Sequence, residues 1–126
     1  MKHKLTRLKS ASRKRAALNR SARDWRRDFA QGVGACDLCR VVSLDVVCHE
    51  IARANRPAAF TCPACILVLC DPCHREVHDQ PRVWSKARQL AFLLRRREWA
   101  FDLVRYNAVA IKRVSIEDVQ NERVSE

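Results

Sequence analysis

The chain has 126 residues, with 25 Lys and Arg against 14 Asp and Glu and a formal net charge of +11. That length suits one small domain plus an extension, and two glycines with four prolines are too few for a sandwich of tight turns. No apolar run approaches the roughly 18–20 residues that cross a bilayer, the cationic N-terminus lacks the apolar core of a signal peptide, and the positive balance favours a polyanion such as nucleic acid, so a cytoplasmic protein without a membrane partner is expected.

Residues 1–30 carry eleven Lys or Arg against Asp24 and Asp28, with Leu5, Leu8 and Leu18 isolated among them. Such a segment buries too little apolar surface to offset its ordering entropy. It reads as a basic arm, largely disordered or helical on binding, since Ala and Arg dominate 11–23. Trp25 and Phe29, at i and i+4, are placed to dock on a core, and Gly32 and Gly34 break the segment. Val42, Leu44 and Val46 alternate with Ser43 and Asp45, a β pattern over 41–47. Residues 52–63 read as a basic loop, and Ile66–Leu69 as a short buried strand. Asp71-Pro72 turns the chain into a helix over about 73–78 that Pro81 limits. Val83, Ala87, Leu90, Ala91 and Leu94 recur at helical spacing, and Trp99, Leu103 and Val104 resume the stripe. That predicts one long helix or two with a bend, with Trp84 and Trp99 in the core and Arg95–Arg97 on a solvated face. Ser115-Ile-Glu-Asp118 resembles a capping box and starts a last short helix.

Chemistry concentrates between Cys36 and His78. Cys36-Asp-Leu-Cys39 and Cys70-Asp-Pro-Cys73 are matched Cys-x-x-Cys knuckles. In a reducing compartment seven cysteines serve better as thiolate ligands or free thiols than as disulfides, and the odd count leaves one unpaired. Two knuckles complete the tetrahedral thiolate site that Zn²⁺ prefers. Cys62-Pro-Ala-Cys65 is a third pair. A four-residue strand spans about 13 Å, which separates Cys65 from Cys70 and Cys73. Cys62 stays open as a substitute ligand, and otherwise Cys48, Cys62 and Cys65 read as small buried hydrophobes.

The sequence Cys36–Cys39, His49-Glu50-Ile51, Leu67-Val-Leu-Cys70 and Cys73-His74 to His78 resembles the HNH endonuclease family in its zinc-knuckle form, known from phages and bacteria. The resemblance covers about a third of the chain. It implies an α+β protein with a small ββα-metal core over 31–80, flanked by the basic arm and by a helical C-terminal extension over 81–126. It also implies metal-dependent hydrolysis of DNA phosphodiester bonds. Cys36, Cys39, Cys70 and Cys73 would hold structural zinc, and His49, His74 and His78 a second, catalytic divalent ion (Mg²⁺, Mn²⁺, Ni²⁺ or Zn²⁺).

Two registers are open for the base that activates water. If His49 is the base, Cys48 takes the place of the family's acidic ligand; if Ile51 sets the register, His49 is a ligand and Glu50 the base. Cys65 stands where the family has an asparagine. Arg53, Arg56 and Arg75 are candidate phosphate contacts. Because the departures at Cys48 and Cys65 touch the reaction itself, the alternative is a non-catalytic zinc-binding module for nucleic acid derived from the same fold. One site per chain would nick, so double-strand cutting would need a homodimer or two events.

Overall fold

A computed structural model of the chain describes residues 2–52 and 57–124, and of residues 2–12, Arg15 and Pro57 the backbone alone. The first element is a helix, α1 (Lys2–Val33). Its inward positions, Ala22, Trp25, Arg26, Phe29, Ala30 and Val33, follow the 3.6-residue period, so a single stripe meets the core while neighbours such as Arg23, Arg27 and Gln31 point to water. Gly34 ends it in the left-handed region (φ 68°), its N–H donating to Ala30 O at 2.8 Å, a closure that costs a residue without Cβ almost nothing.

A small hairpin then wraps the first knuckle. Cys36 N–H donates to Val41 O (2.9 Å) and Ser43 N–H to Gly34 O (3.1 Å), and Ala35 bridges Val42. The alternating run from Val41 does not continue as a strand. Asp45 N–H donates to Ser43 Oγ at 3.0 Å, a local turn that competes with the ladder and leaves Val42 and Leu44 exposed. Pairing starts at β1 (Val47–Glu50) and is antiparallel to β2 (Ile66–Leu69), with His49 opposite Leu67 and Cys48 opposite Val68. The buried strand expected at Ile66–Leu69 is present, and all four of its residues are buried. Between the strands the expected loop contains a short helix, α2 (Pro57–Phe60), and a 3₁₀ turn at Pro63–Cys65.

Next comes α3 (Asp71–Asp79), which has Pro72 in its first turn, where a missing N–H costs nothing, and Asp71 at the positive end of its dipole. The C-terminal stripe forms two helices, α4 (Lys86–Arg96) and α5 (Leu103–Val109). Ser85 caps α4 and Asp102 caps α5, each accepting the N–H three residues on. Ser115 caps the last helix, α6 (Ile116–Gln120), as its sequence predicts.

Helix α1 packs on β1 and α4 on β2, while α6 lies on α4 and α5 on the 3₁₀ turn. Ile51, Ile66, Leu67, Leu69, Leu90, Leu93 and Tyr106 fill the centre. Trp84 is in the core as predicted; Trp99 is not, being 71% exposed. The break between α4 and α5 explains the difference, because it takes Trp99 off the helical stripe. The chain is thus a mixed fold of helices and one two-stranded antiparallel sheet. Among the described residues no helix is long and apolar enough to cross a membrane.

Candidate metal centre

The two knuckles meet at one end of the sheet. Cys36 and Cys39 come from the first hairpin, Cys70 from the end of β2, and Cys73 from the first turn of α3. Their four sulfurs lie within 4.8 Å of one another, and Cys39 Sγ is 3.6 Å from Cys70 Sγ. A tetrahedron with zinc–sulfur bonds of about 2.3 Å has sulfur–sulfur edges of about 3.8 Å. The cluster therefore has the dimensions and the soft donors of a zinc site, and it can hold that ion.

Its electrostatics agree. Burial pushes the Cys36 thiol up, but the backbone N–H groups of Cys39, Cys70 and Leu38 outweigh it and leave the pKa lowered. Burial raises Cys73, with the sulfurs of Cys70, Cys36 and Cys39 adding to it, and burial raises Cys70. Cys70 and Cys73 thus resist ionising in the protein alone. A doubly charged cation reverses that, because a coordinating thiol gives up its proton outright. Cys62 does not join the cluster. It is buried beside Cys65, whose thiol is pushed up to about 12 by burial and then by Cys62. Cys48 is also buried, and its Sγ donates to Arg26 O at 3.2 Å on α1. All three are packed thiols, as their sequence context suggests.

A network unforeseen in the sequence locks the first knuckle to the sheet. Asp37, inside the knuckle, donates its N–H to Val68 O (2.7 Å), and its Oδ2 accepts the Val68 N–H (2.7 Å), so it serves as a third-strand partner on the free edge of β2. Arg97 grips the same carboxylate with Nε (3.2 Å) and Nη2 (2.8 Å), and Nη2 also reaches Ile66 O at 2.8 Å. Asp37 and Arg97 are 3% and 6% exposed. The solvated face expected for Arg95–Arg97 therefore fails at Arg97, which ends α4 by turning into the core. Three consecutive arginines gave no sign of this.

The histidines and Glu50 are distributed less evenly. Neighbouring strand residues point to opposite faces. Cys48 and Glu50 face α1, where Glu50 pairs with Arg26, which also donates to Cys48 O at 3.1 Å. His49 faces the other way. Its Nε2 is 3.0 Å from Gln89 Oε1, and Gln89 Nε2 donates to Trp84 O at 2.8 Å. Since the Gln89 amide is fixed as donor to Trp84, its oxygen accepts, and His49 carries a proton on Nε2. The His49 and His74 rings meet edge to face at 5.3 Å. The His74 pKa is lowered by burial and then by His78, which favours the neutral, ligating form at pH 7. His78 is exposed and next to Asp79 (3.5 Å), and Arg75 pairs with Asp71 at 3.0 Å on the outer face of α3. Among the described residues the four cysteines are the one group of three or more metal-binding side chains whose ligand atoms converge. Arg53 and Arg56 lie outside the described residues. No family model, curated protein or solved structure matches this chain.

Proposed function

We propose that the chain is a zinc-stapled, HNH-like endonuclease that acts on DNA with a second divalent ion. The observation that carries this reading is the order β1, β2, α3 with His49 set against His74 at 5.3 Å, directly behind a four-cysteine cluster. Strand, strand and helix in that order support this reading, because the resemblance implies a ββα core whose imidazoles come from a strand and the following helix. His49, His74 and His78 would hold the ion, which when bound supplies Lewis-acid stabilisation of charge on the phosphate.

The chain's own groups have separate tasks. Gln89 fixes the tautomer and ring plane of His49. Arg26 pairs with Glu50 and orients it, and in the register where Glu50 is the base it would accept a proton from water. Arg75, exposed on α3, and Arg53 and Arg56 would hold flanking phosphates. One such centre per chain nicks one strand, and a pair of chains would cut both.

A second reading is favoured by a specific observation. His49 is only 6% exposed, and Cys48 spends its thiol on Arg26 O rather than on an ion. A zinc-bearing module that binds nucleic acid without cutting it fits those two facts. Supercoiled plasmid separates the readings when incubated with the pure protein and Mg²⁺, Mn²⁺ or Ni²⁺ beside His49→Ala. Metal-dependent nicking lost in the variant supports the nuclease. Nicking that persists in the variant removes this site, and salt-sensitive binding without nicking under any metal supports the module.

A further inference from the structure

A cleft of about 550 Å³ is walled by the end of α1, by the first knuckle and by the end of α4 with the residues that follow it. That volume falls within the range of small-ligand sites. Its chemistry is basic and aromatic together. Arg40, Arg96 and Arg97 line it, as do Phe29 and Trp99, and the carboxylate on its wall, Asp37, is already engaged by Arg97.

Three features make this a built site rather than a gap. Arg97 lines the cleft and is more than nine-tenths buried, and its Nη1, inside the wall, has no hydrogen-bond partner. A buried donor left so costs about 1–3 kcal/mol unless something accepts it. Arg40 has φ 66°, a left-handed position where glycine is free of penalty and an L-residue is strained. An arginine kept there at that cost places a long cation at the mouth of the cleft, while Arg96 is held in the wall by its Nε bond to Asp37 O (3.0 Å). Trp99 is a large exposed ring, but not a loose one: Phe29 braces it at 6.4 Å in an edge-to-face contact and is itself stacked on Trp25 at 5.0 Å.

Cations that take a phosphate beside an indole that takes a base describe a nucleotide. The indole can stack only on a base whose face is open, which a duplex interior does not offer. We infer that this cleft holds one unpaired nucleotide of a bound nucleic-acid strand, its base on Trp99 and its phosphate between Arg40 and Arg96. This rests on the nucleic-acid partner proposed above and adds a strand-state preference to it.

The test is fluorescence anisotropy on the full chain, with a labelled oligodeoxythymidylate and a labelled duplex hairpin, each over a salt series. Trp99→Ala is expected to weaken the single strand about tenfold, the worth of one stacked base, and to leave the duplex unchanged, and Trp99→Phe to recover most of the loss. Arg40→Gly relieves the strained backbone, so its melting temperature holds or rises while its single-strand salt slope falls by about 0.7, one phosphate contact. A merely structural arginine would give the first change without the second. If the wild type binds the duplex but Trp99→Ala and Arg40→Gly leave single-strand binding unchanged, the cleft assignment is wrong and the proposed function stands. If the wild type binds neither probe, both are wrong. Equal losses on both probes also overturn the assignment, since they would not depend on an unpaired base.

Discussion

The two halves of the Cys36–His78 stretch are held in different ways. The four cysteines sit on two tight knuckles, each presenting its sulfurs by local backbone geometry, and they converge within 4.8 Å. His49, Glu50, His74 and His78 are divided between two faces of β1 and the helix α3, and their neighbours come from Arg26 on α1 and Gln89 on α4. A knuckle needs only its own four residues to make its ligands meet. A strand–helix site needs the register of a sheet and the docking of distant helices. Apart from the Arg97 lock on Asp37, the first half therefore depends on short-range geometry, and the second can be altered by residues far from it in sequence.

The largest expected effect breaks the cysteine half. A core of this size is marginal without a staple, and structural zinc in small domains contributes on the order of 10 kcal/mol of folding free energy. Chelation, or Cys36→Ser with Cys70→Ser, is expected to abolish the cooperative thermal transition seen by circular dichroism. Elemental analysis should fall from about one zinc per chain to none. A chain that keeps its transition after chelation would show that the knuckles are not the staple. Next comes the lock between knuckle and sheet. Arg97→Met removes one member of a buried ion pair and leaves Asp37 charged inside the protein, a loss of about 3–5 kcal/mol. Urea denaturation measures it, with Arg95→Met, on the exposed side, as the near-neutral control.

How much of this could be read beforehand follows from range. The knuckles, the Ile66–Leu69 strand and the Ser115 cap are short-range patterns, and they stand as expected. Trp99 and Arg97 do not, because both depend on where α4 stops. Asp102 carried that signal, as a capping residue placed between two apolar stretches, whereas the helical stripe by itself leaves one long helix or two with a bend equally open. Leu44 was misplaced by a smaller competitor, the Ser43 hydroxyl bonding to Asp45 N–H. The partners of His49 and Glu50 had no sequence signature at all. Gln89 is one polar residue beside the apolar run 90–94 and Arg26 one arginine among many, and only the packed fold singles them out.

The smallest effect sharpens the comparison most, because Gln89 belongs to neither half by sequence and ties the histidine side to α4. Gln89→Leu leaves the His49 Nε2–H donor and the Trp84 carbonyl without their partner inside the core. A loss of about 1–3 kcal/mol is expected from unpaired buried polar groups, measurable by urea denaturation. Nitrogen chemical shifts of His49 should report Nε2–H in the wild type and a mixture of tautomers in the variant. Zinc content should not change, since Gln89 touches no knuckle residue. If zinc content falls with it, the two halves are coupled through α4 and the independence of the cysteine staple is lost. If stability falls, zinc is retained and plasmid nicking drops with the tautomer, the histidine half is the reactive one, and the strand and helix that carry His49 and His74 are a site rather than a remnant.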